Sequence, residues 1–164
     1  MPINGHGTRI AGTIGSKTYG VAKKTQVFAV KVLNEYTAGQ TSGILAGMDP
    51  IVEDAATRKC PKGIVVNMSF SAASSAAINT AAIYIVKLVV LSLRRVAVDA
   101  FALGTGIKST WIKGGVKVES CTSMATSHVT GFAAYLLGLK DIKASELCNL
   151  IASMSLKDVI KGIS

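Results

Sequence analysis

Two residues in this chain are of the types that carry out nucleophilic catalysis together. One is Ser123, in Ser120-Cys121-Thr122-Ser123-Met124-Ala125-Thr126-Ser127-His128; the other is His6, between two glycines in Asn4-Gly5-His6-Gly7-Thr8. A serine hydroxyl is a weak nucleophile at neutral pH and needs a base to take its proton. An imidazole titrates near neutrality, so it can accept that proton and later return it to a leaving amine. Most serines near a helix start are only caps, so the chemistry depends on what positions Ser123.

The surrounding pattern places Ser123 at a helix N-terminus. Thr122 can cap the helix, Val129, Phe132, Ala133, Leu136 and Leu137 recur at helical spacing, and Gly138 marks the expected stop. The unpaired N–H groups of a first helical turn favour negative charge on a neighbouring atom. His6 likewise sits on a small-residue helix start, where glycine neighbours permit close approach of other backbone.

Between these two segments the chain alternates strand-like and helix-like runs. Val27-Phe28-Ala29-Val30-Lys31-Val32-Leu33 is apolar and β-branched and reads as a strand buried on both faces. Thr41 or Ser42 can cap a helix through Ile44, Leu45, Met48, Val52 and Ala55, with a kink or break expected at Pro50. After the turn Cys60-Pro61-Lys62-Gly63, Ile64-Val65-Val66-Asn67-Met68-Ser69 reads as a second buried strand. Ser74 or Ser75 opens a helix through Ile78, Ala81, Ala82 and Ile85, residues 88–93 read as a further strand, and residues 143–154 form a last amphipathic helix. Strand, helix and strand in this order predict an α/β fold, a parallel β-sheet with right-handed crossovers and helices on both faces. Ligands of such sheets sit at the carboxyl ends of the strands, where Ser69, Phe70 and Ser71 fall.

Composition narrows the class. At 164 residues with 49% hydrophobic content the chain can bury a core as one globular unit. The net charge is +9, yet the 18 Lys and Arg residues are scattered, with only Lys23-Lys24 and Arg94-Arg95 adjacent, and aromatics make up 5%. That is neither a basic stripe nor a stacking platform, so no nucleic-acid partner is expected. The most apolar window, 81–93, contains Lys87 and is shorter than a bilayer span, and no signal-peptide pattern opens the sequence; no membrane partner is expected. Cys60, Cys121 and Cys148 are too few and too widely spaced for a zinc site or a disulfide-dense scaffold.

Thr122-Ser123-Met124-Ala125-Thr126 followed by His128 resembles the nucleophile motif of the subtilisin-like serine proteases, in the branch similar to proteinase K, with Cys121 in place of a glycine and Ser127 in place of a proline. Gly5-His6-Gly7-Thr8 with Ala11-Gly12-Thr13 resembles the histidine motif of the same family, with Arg9 in place of a common histidine. The resemblance covers nearly the whole chain from Gly5 to about Gly162. It implies a single peptidase domain over 1–164, lacking the N-terminal strand and an internal segment near 93–97. It also implies hydrolysis of peptide bonds through an acyl-enzyme, with Ser123 as nucleophile, His6 as base and acid, and Ser69, Phe70 and Ser71 along the substrate backbone. Protein or peptide substrates, an extracellular setting and a monomeric state follow from the family, with no cofactor.

The same resemblance marks what the chain departs from. The family's triad aspartate lies on a strand upstream of the histidine, and none of the nine acidic residues here falls at that position. Its oxyanion asparagine follows a strand that here ends in Leu93-Arg94-Arg95. Asp99 resembles a calcium-ligating position whose other ligands are missing, so no metal is expected, and Cys60 and Cys148 resemble members of two disulfides whose partners are absent. These departures imply the alternative of a catalytically inactive fragment or pseudoenzyme that binds peptides without cleaving them.

Overall fold

The computed structural model describes residues 4–70, 75–88, 100–157 and 159. Five α-helices, one hairpin and a 3₁₀ turn at Ile112–Gly114 make up the regular structure of these residues: α1 (His6–Gly15), α2 (Thr41–Thr57), α3 (Ala76–Leu88), β1 (Ile107–Thr110), β2 (Val116–Glu119), α4 (Thr122–Leu139) and α5 (Ala144–Met154). Residues 71–74 and 89–99 lie outside the description, and with them Ser71, Asp99, Arg94, Arg95 and all but the first residue of the strand expected over 88–93. Leu88 itself closes α3.

Helices form where the apolar spacing predicts them, with shifts at the ends. Cys121 is the N-cap of α4, so Thr122 is its first helical residue, and the helix passes Gly138 to end at Leu139. Glycine costs helix stability without forbidding the conformation, and Leu136 and Leu137, both buried, hold the last turn. The Ser75 hydroxyl accepts the N–H of Ile78 at 3.3 Å and opens α3. α2 runs through Pro50 without a break. Pro50 and Ala46 are both exposed, so the carbonyl that loses its donor lies on the solvent side, where water can replace the bond.

Two core clusters lie on either side of residues 64–70. Ile44 and Met48 of α2 and Ile78 and Ile85 of α3 pack with Val66 and Met68. Ala133, Leu136 and Leu137 of α4 pack with Leu147 and Ile151 of α5, and Val65 joins them from the other side of the chain. Alternate residues of 64–70 therefore face opposite helix layers, the placement of a strand buried on both faces. Val66 forms an isolated bridge, and no regular strand is present there.

The other expected inner strand departs further from its sequence pattern. Residues 27–33 form no ladder among the described residues, and Val27, Phe28 and Val30 are 45%, 54% and 44% exposed. Apolar side chains become buried only when neighbours cover them, and among the described residues no strand lies against this run. The hydrogen-bonded sheet is instead the antiparallel pair β1 and β2, with Ile107 opposite Glu119 and Thr110 opposite Val116. Its turn contains Lys113 and Gly114, both with positive φ, at 57° and 73°. Two four-residue runs around Lys113-Gly114-Gly115 are a legible hairpin signal that helix-centred reading passes over.

Helices α1 and α4 pack in the same direction. Arg9 near the start of α1 reaches Met124 near the start of α4, while further along, a β-carbon on Gly131 of α4 would stand 3.2 Å from the Ile14 carbonyl of α1 and 2.8 Å from the Val21 β-carbon. The N-termini of both helices thus share one end of the pair. Arg9 is fully buried and ties three elements together: its guanidinium donates to the carbonyls of Lys117, at 2.7 Å, and Ile107, and to the Met124 sulfur at 2.8 Å, with a Glu119 carboxylate oxygen 3.6 Å away. From the hairpin side, Ser109 and Thr110 hydroxyls donate to the carbonyls of Arg9 and Thr8 at 3.1 and 3.0 Å.

An Arg9→Met exchange keeps the apolar stem but orphans two carbonyls and leaves Glu119 without its buried cation. We expect a loss of about 3 kcal/mol in unfolding free energy, read from the urea midpoint at unchanged slope.

Candidate active site

Ser123 lies in the first turn of α4, one residue past Thr122, and is half-buried. Its carbonyl accepts the buried Ser127 hydroxyl at 2.7 Å, an i−4 bond that a proline at that position could not make. The Ser69 hydroxyl donates to Asn67 Oδ1 at 2.7 Å and lies 3.5 Å from the same Ser123 carbonyl. The Asn67 amide in turn donates to the Thr130 hydroxyl of α4 at 2.8 Å. The end of the 64–69 segment is therefore fastened to the nucleophile helix by a short polar chain, and Ser69 and Ser123 meet there.

The Phe70 side chain packs against the α2–α3 cluster. Its bulk serves the core; Ser71 lies outside the described residues. The segment preceding α4 is fixed by three bonds: Cys121 N–H to the Gly104 carbonyl at 2.8 Å, Gly106 N–H to the Ser120 hydroxyl at 2.9 Å, and a 2.9 Å contact of His128 Nδ1 with the Leu103 carbonyl.

His6 opens α1 at the same end of the helix pair. Asn4 Oδ1 accepts its N–H at 2.9 Å, and the Trp111 ring lies so close over Gly5 that a β-carbon there would sit 2.5 Å from it. Only glycine fits beneath the indole, which explains the residue before the histidine. The imidazole is partly buried and has no hydrogen-bond partner among the described residues. The Ser123 hydroxyl pairs with the Cys121 thiol at 3.6 Å, and no hydrogen bond joins His6 to it. His6 and Ser123 occupy one end of the pair without touching.

Electrostatics set the protonation of His6 and of Cys121. Burial holds the His6 imidazole below its ordinary value; Glu119 pulls upward against this and Arg9 pushes down with it. The carboxylate whose charge reaches His6 is thus Glu119, at the end of β2, a role no sequence pattern announces. Cys121 is exposed, and its thiol is held below the usual thiol range by the Ser123 hydroxyl first and the Ser123 and Thr122 backbone N–H groups after it. The head of α4 therefore favours negative charge on that sulfur. Neither Cys60 nor Cys121 forms a disulfide. Among the described residues no cluster of three or more His, Cys, Asp or Glu could hold a metal ion, and no helix is long and apolar enough to cross a membrane.

These assignments give a titration that can be followed directly. The His6 ring protons, followed by NMR, should titrate below about 6.5, and Glu119→Gln should lower the midpoint further by removing the charge that favours imidazolium. Because the folded value lies under the unfolded one, the unfolded chain binds the proton more readily. Stability should be flat above about pH 6.5 and decline as pH falls through the folded value, and His6→Gln should remove that part of the decline.

Comparison with known proteins places this geometry. The model of the subtilase family matches residues 1–100. Proteinase T of Parengyodontium album is 42% identical over 198 residues, an alignment covering 98% of this chain and 67% of that protein. Proteinase R of the same organism is 40% identical and the cuticle-degrading protease of Metarhizium anisopliae 37%, each alignment covering 98% of this chain. The chain spans about half the length of these last two relatives, 51% in each case. The crystal structure of a cold-adapted subtilisin-like serine proteinase superposes with a TM-score of 0.78 at 33% identity, over 92% of this chain and 68% of that one. The helix layers around residues 64–70 are those of an incomplete subtilisin-like α/β fold, and the chain belongs to the subtilase family.

Proposed function

We propose that this chain carries the machinery of a subtilisin-like serine endopeptidase, with Ser123 as nucleophile and His6 as general base and acid. The observation that supports it most is the parallel packing of α1 and α4, which brings the histidine and the serine to one end of the pair beside Ser69. In the reaction, Ser123 Oγ attacks the carbonyl carbon of a protein or peptide substrate while His6 takes the hydroxyl proton. The Ser123 N–H, at the positive end of α4, steadies the oxyanion; His6 returns the proton to the departing amine, and water hydrolyses the acyl-enzyme. A neutral imidazole at pH 7, favoured by burial, is the form that acts as base. Ser69 and the neighbouring backbone are the groups that would pair with an extended substrate, and an extracellular setting fits such an enzyme.

A second reading, a peptide-binding relative that does not cleave, draws on a specific contact. The Ser123 hydroxyl pairs with the Cys121 thiol at the head of α4, so a substrate must displace that sulfur before the hydroxyl can attack. Losing one oxyanion donor costs about 10²–10³ in turnover, a figure measured on subtilisin itself.

The test is labelling by a fluorophosphonate probe, with intact mass to locate the adduct. We expect an adduct on Ser123 that is lost in Ser123→Ala, and labelling about tenfold faster in Cys121→Gly, a fraction of what a donor is worth. A folded protein that takes up no label in either the wild type or Cys121→Gly would establish the second reading instead.

A further inference from the structure

The hairpin turns one face toward α1. Residues directly opposite across an antiparallel pair share a face, and Glu119 stands opposite Ile107 and Lys117 opposite Ser109. Ile107 packs against Ile10, Ile14 and Met124, and the Ser109 hydroxyl donates to the Arg9 carbonyl. The side of the hairpin that carries Glu119 and Lys117 is therefore the side against α1. On α1 itself, residues three apart are neighbours on the helix surface, and His6 and Arg9 have that spacing. Arg9 is the residue whose Nε lies 3.6 Å from a Glu119 carboxylate oxygen. The turn end of the hairpin closes on the same place, since the Trp111 ring covers Gly5 and the Lys117 ammonium lies 4.4 Å from the centre of that ring.

Glu119 is gripped from two directions. Its second carboxylate oxygen pairs with Lys117 at 2.5 Å, and Arg9 is fully buried, so neither oxygen is free to swing away from α1. The charged and titratable groups around His6 are then Arg9 from its own helix, Glu119 and Lys117 from β2, and the Cys121 thiol at the head of α4. Glu119 supplies the negative charge that favours imidazolium, and imidazolium is the form the reaction creates. As Ser123 Oγ bonds to the carbonyl carbon, the hydroxyl proton passes to His6 and positive charge appears on the ring, with no proton moving on to Glu119. A carboxylate fixed in advance beside a developing charge stabilises it without reorganising.

We propose that Glu119 is a positioning residue for His6: clamped between Arg9 and Lys117, its carboxylate stabilises the imidazolium that forms as Ser123 attacks. The inference rests on Ser123 and His6 acting as nucleophile and base.

The test is the rate of Ser123 labelling by the fluorophosphonate probe as a function of pH. The serine oxygen displaces fluoride from phosphorus and its proton passes to His6, so the rate should rise as the imidazolium loses its proton and then level off. Glu119→Gln keeps the size of the side chain and removes its charge. In that variant the midpoint of the rise should move to lower pH and the plateau should fall about fivefold, a small part of the roughly 10²–10⁴ that a positioned base contributes. Glu119→Asp restores the charge and should recover most of the plateau, with the midpoint returning toward that of the wild type. Lys117→Met leaves the pair with Arg9 intact and removes a compensating cation, so its midpoint should move to higher pH; it reads the same coupling if Glu119→Gln does not fold. An unchanged profile in folded Glu119→Gln would confine Glu119 to supporting Arg9 and overturn the proposal. Equal losses in the Gln and Asp variants, or a Lys117→Met profile that does not move, would overturn it as well. If no Ser123-dependent label forms at any pH, the nucleophile-and-base reading itself fails, and this proposal with it.

Discussion

A single buried guanidinium determines how the pieces of this structure meet. Arg9 has no water to solvate it, so its charge is tolerable only while carbonyls from both hairpin strands, a sulfur and a nearby carboxylate surround it. Those partners come from β1, β2 and the head of α4, and they converge only if α1 lies along α4 in the observed direction. The geometry of His6 and Ser123 is therefore inherited from a residue that takes no part in the chemistry. Glu119, the carboxylate beside Arg9, also acts on His6 through its charge, so one ion pair couples the packing of the helices to the protonation of the base.

What could be read from the sequence was whatever depends on neighbours close in the chain. Helix spacing, the serine at the head of α4 and the histidine between glycines are local patterns, and the subtilisin-like kinship carried by the two motifs agrees with the family and structural comparisons. The exposure of residues 27–33 was not legible, because a strand's burial is a property of its partners and this run has none beside it among the described residues. Pro50 was expected to kink or break α2 on propensity alone, and exposure of the affected carbonyl overrode it. The convergence of Arg9 with Glu119, separated by more than a hundred positions, leaves no trace in local composition.

Cys121 shows how a small substitution acts through geometry. A glycine at that N-cap leaves the first-turn N–H groups open, while a cysteine brings a polarizable sulfur to them and to the Ser123 hydroxyl. The Ser123 hydroxyl gains an internal partner that a ligand would have to displace. Stabilisation of the resting state and readiness for a substrate carbonyl therefore pull in opposite directions at one position.

Gly131 of α4 lies against the last turn of α1, where a β-carbon would stand 2.8 Å from the Val21 β-carbon and 3.2 Å from the Ile14 carbonyl. Two rods lying side by side behave as levers about their closest point. A methyl group inserted there acts as a wedge, and the displacement it forces is passed along both rods to the ends that carry His6 and Ser123. The spacing of those two residues is thus held partly by a side chain that is not there, at a place that touches neither of them.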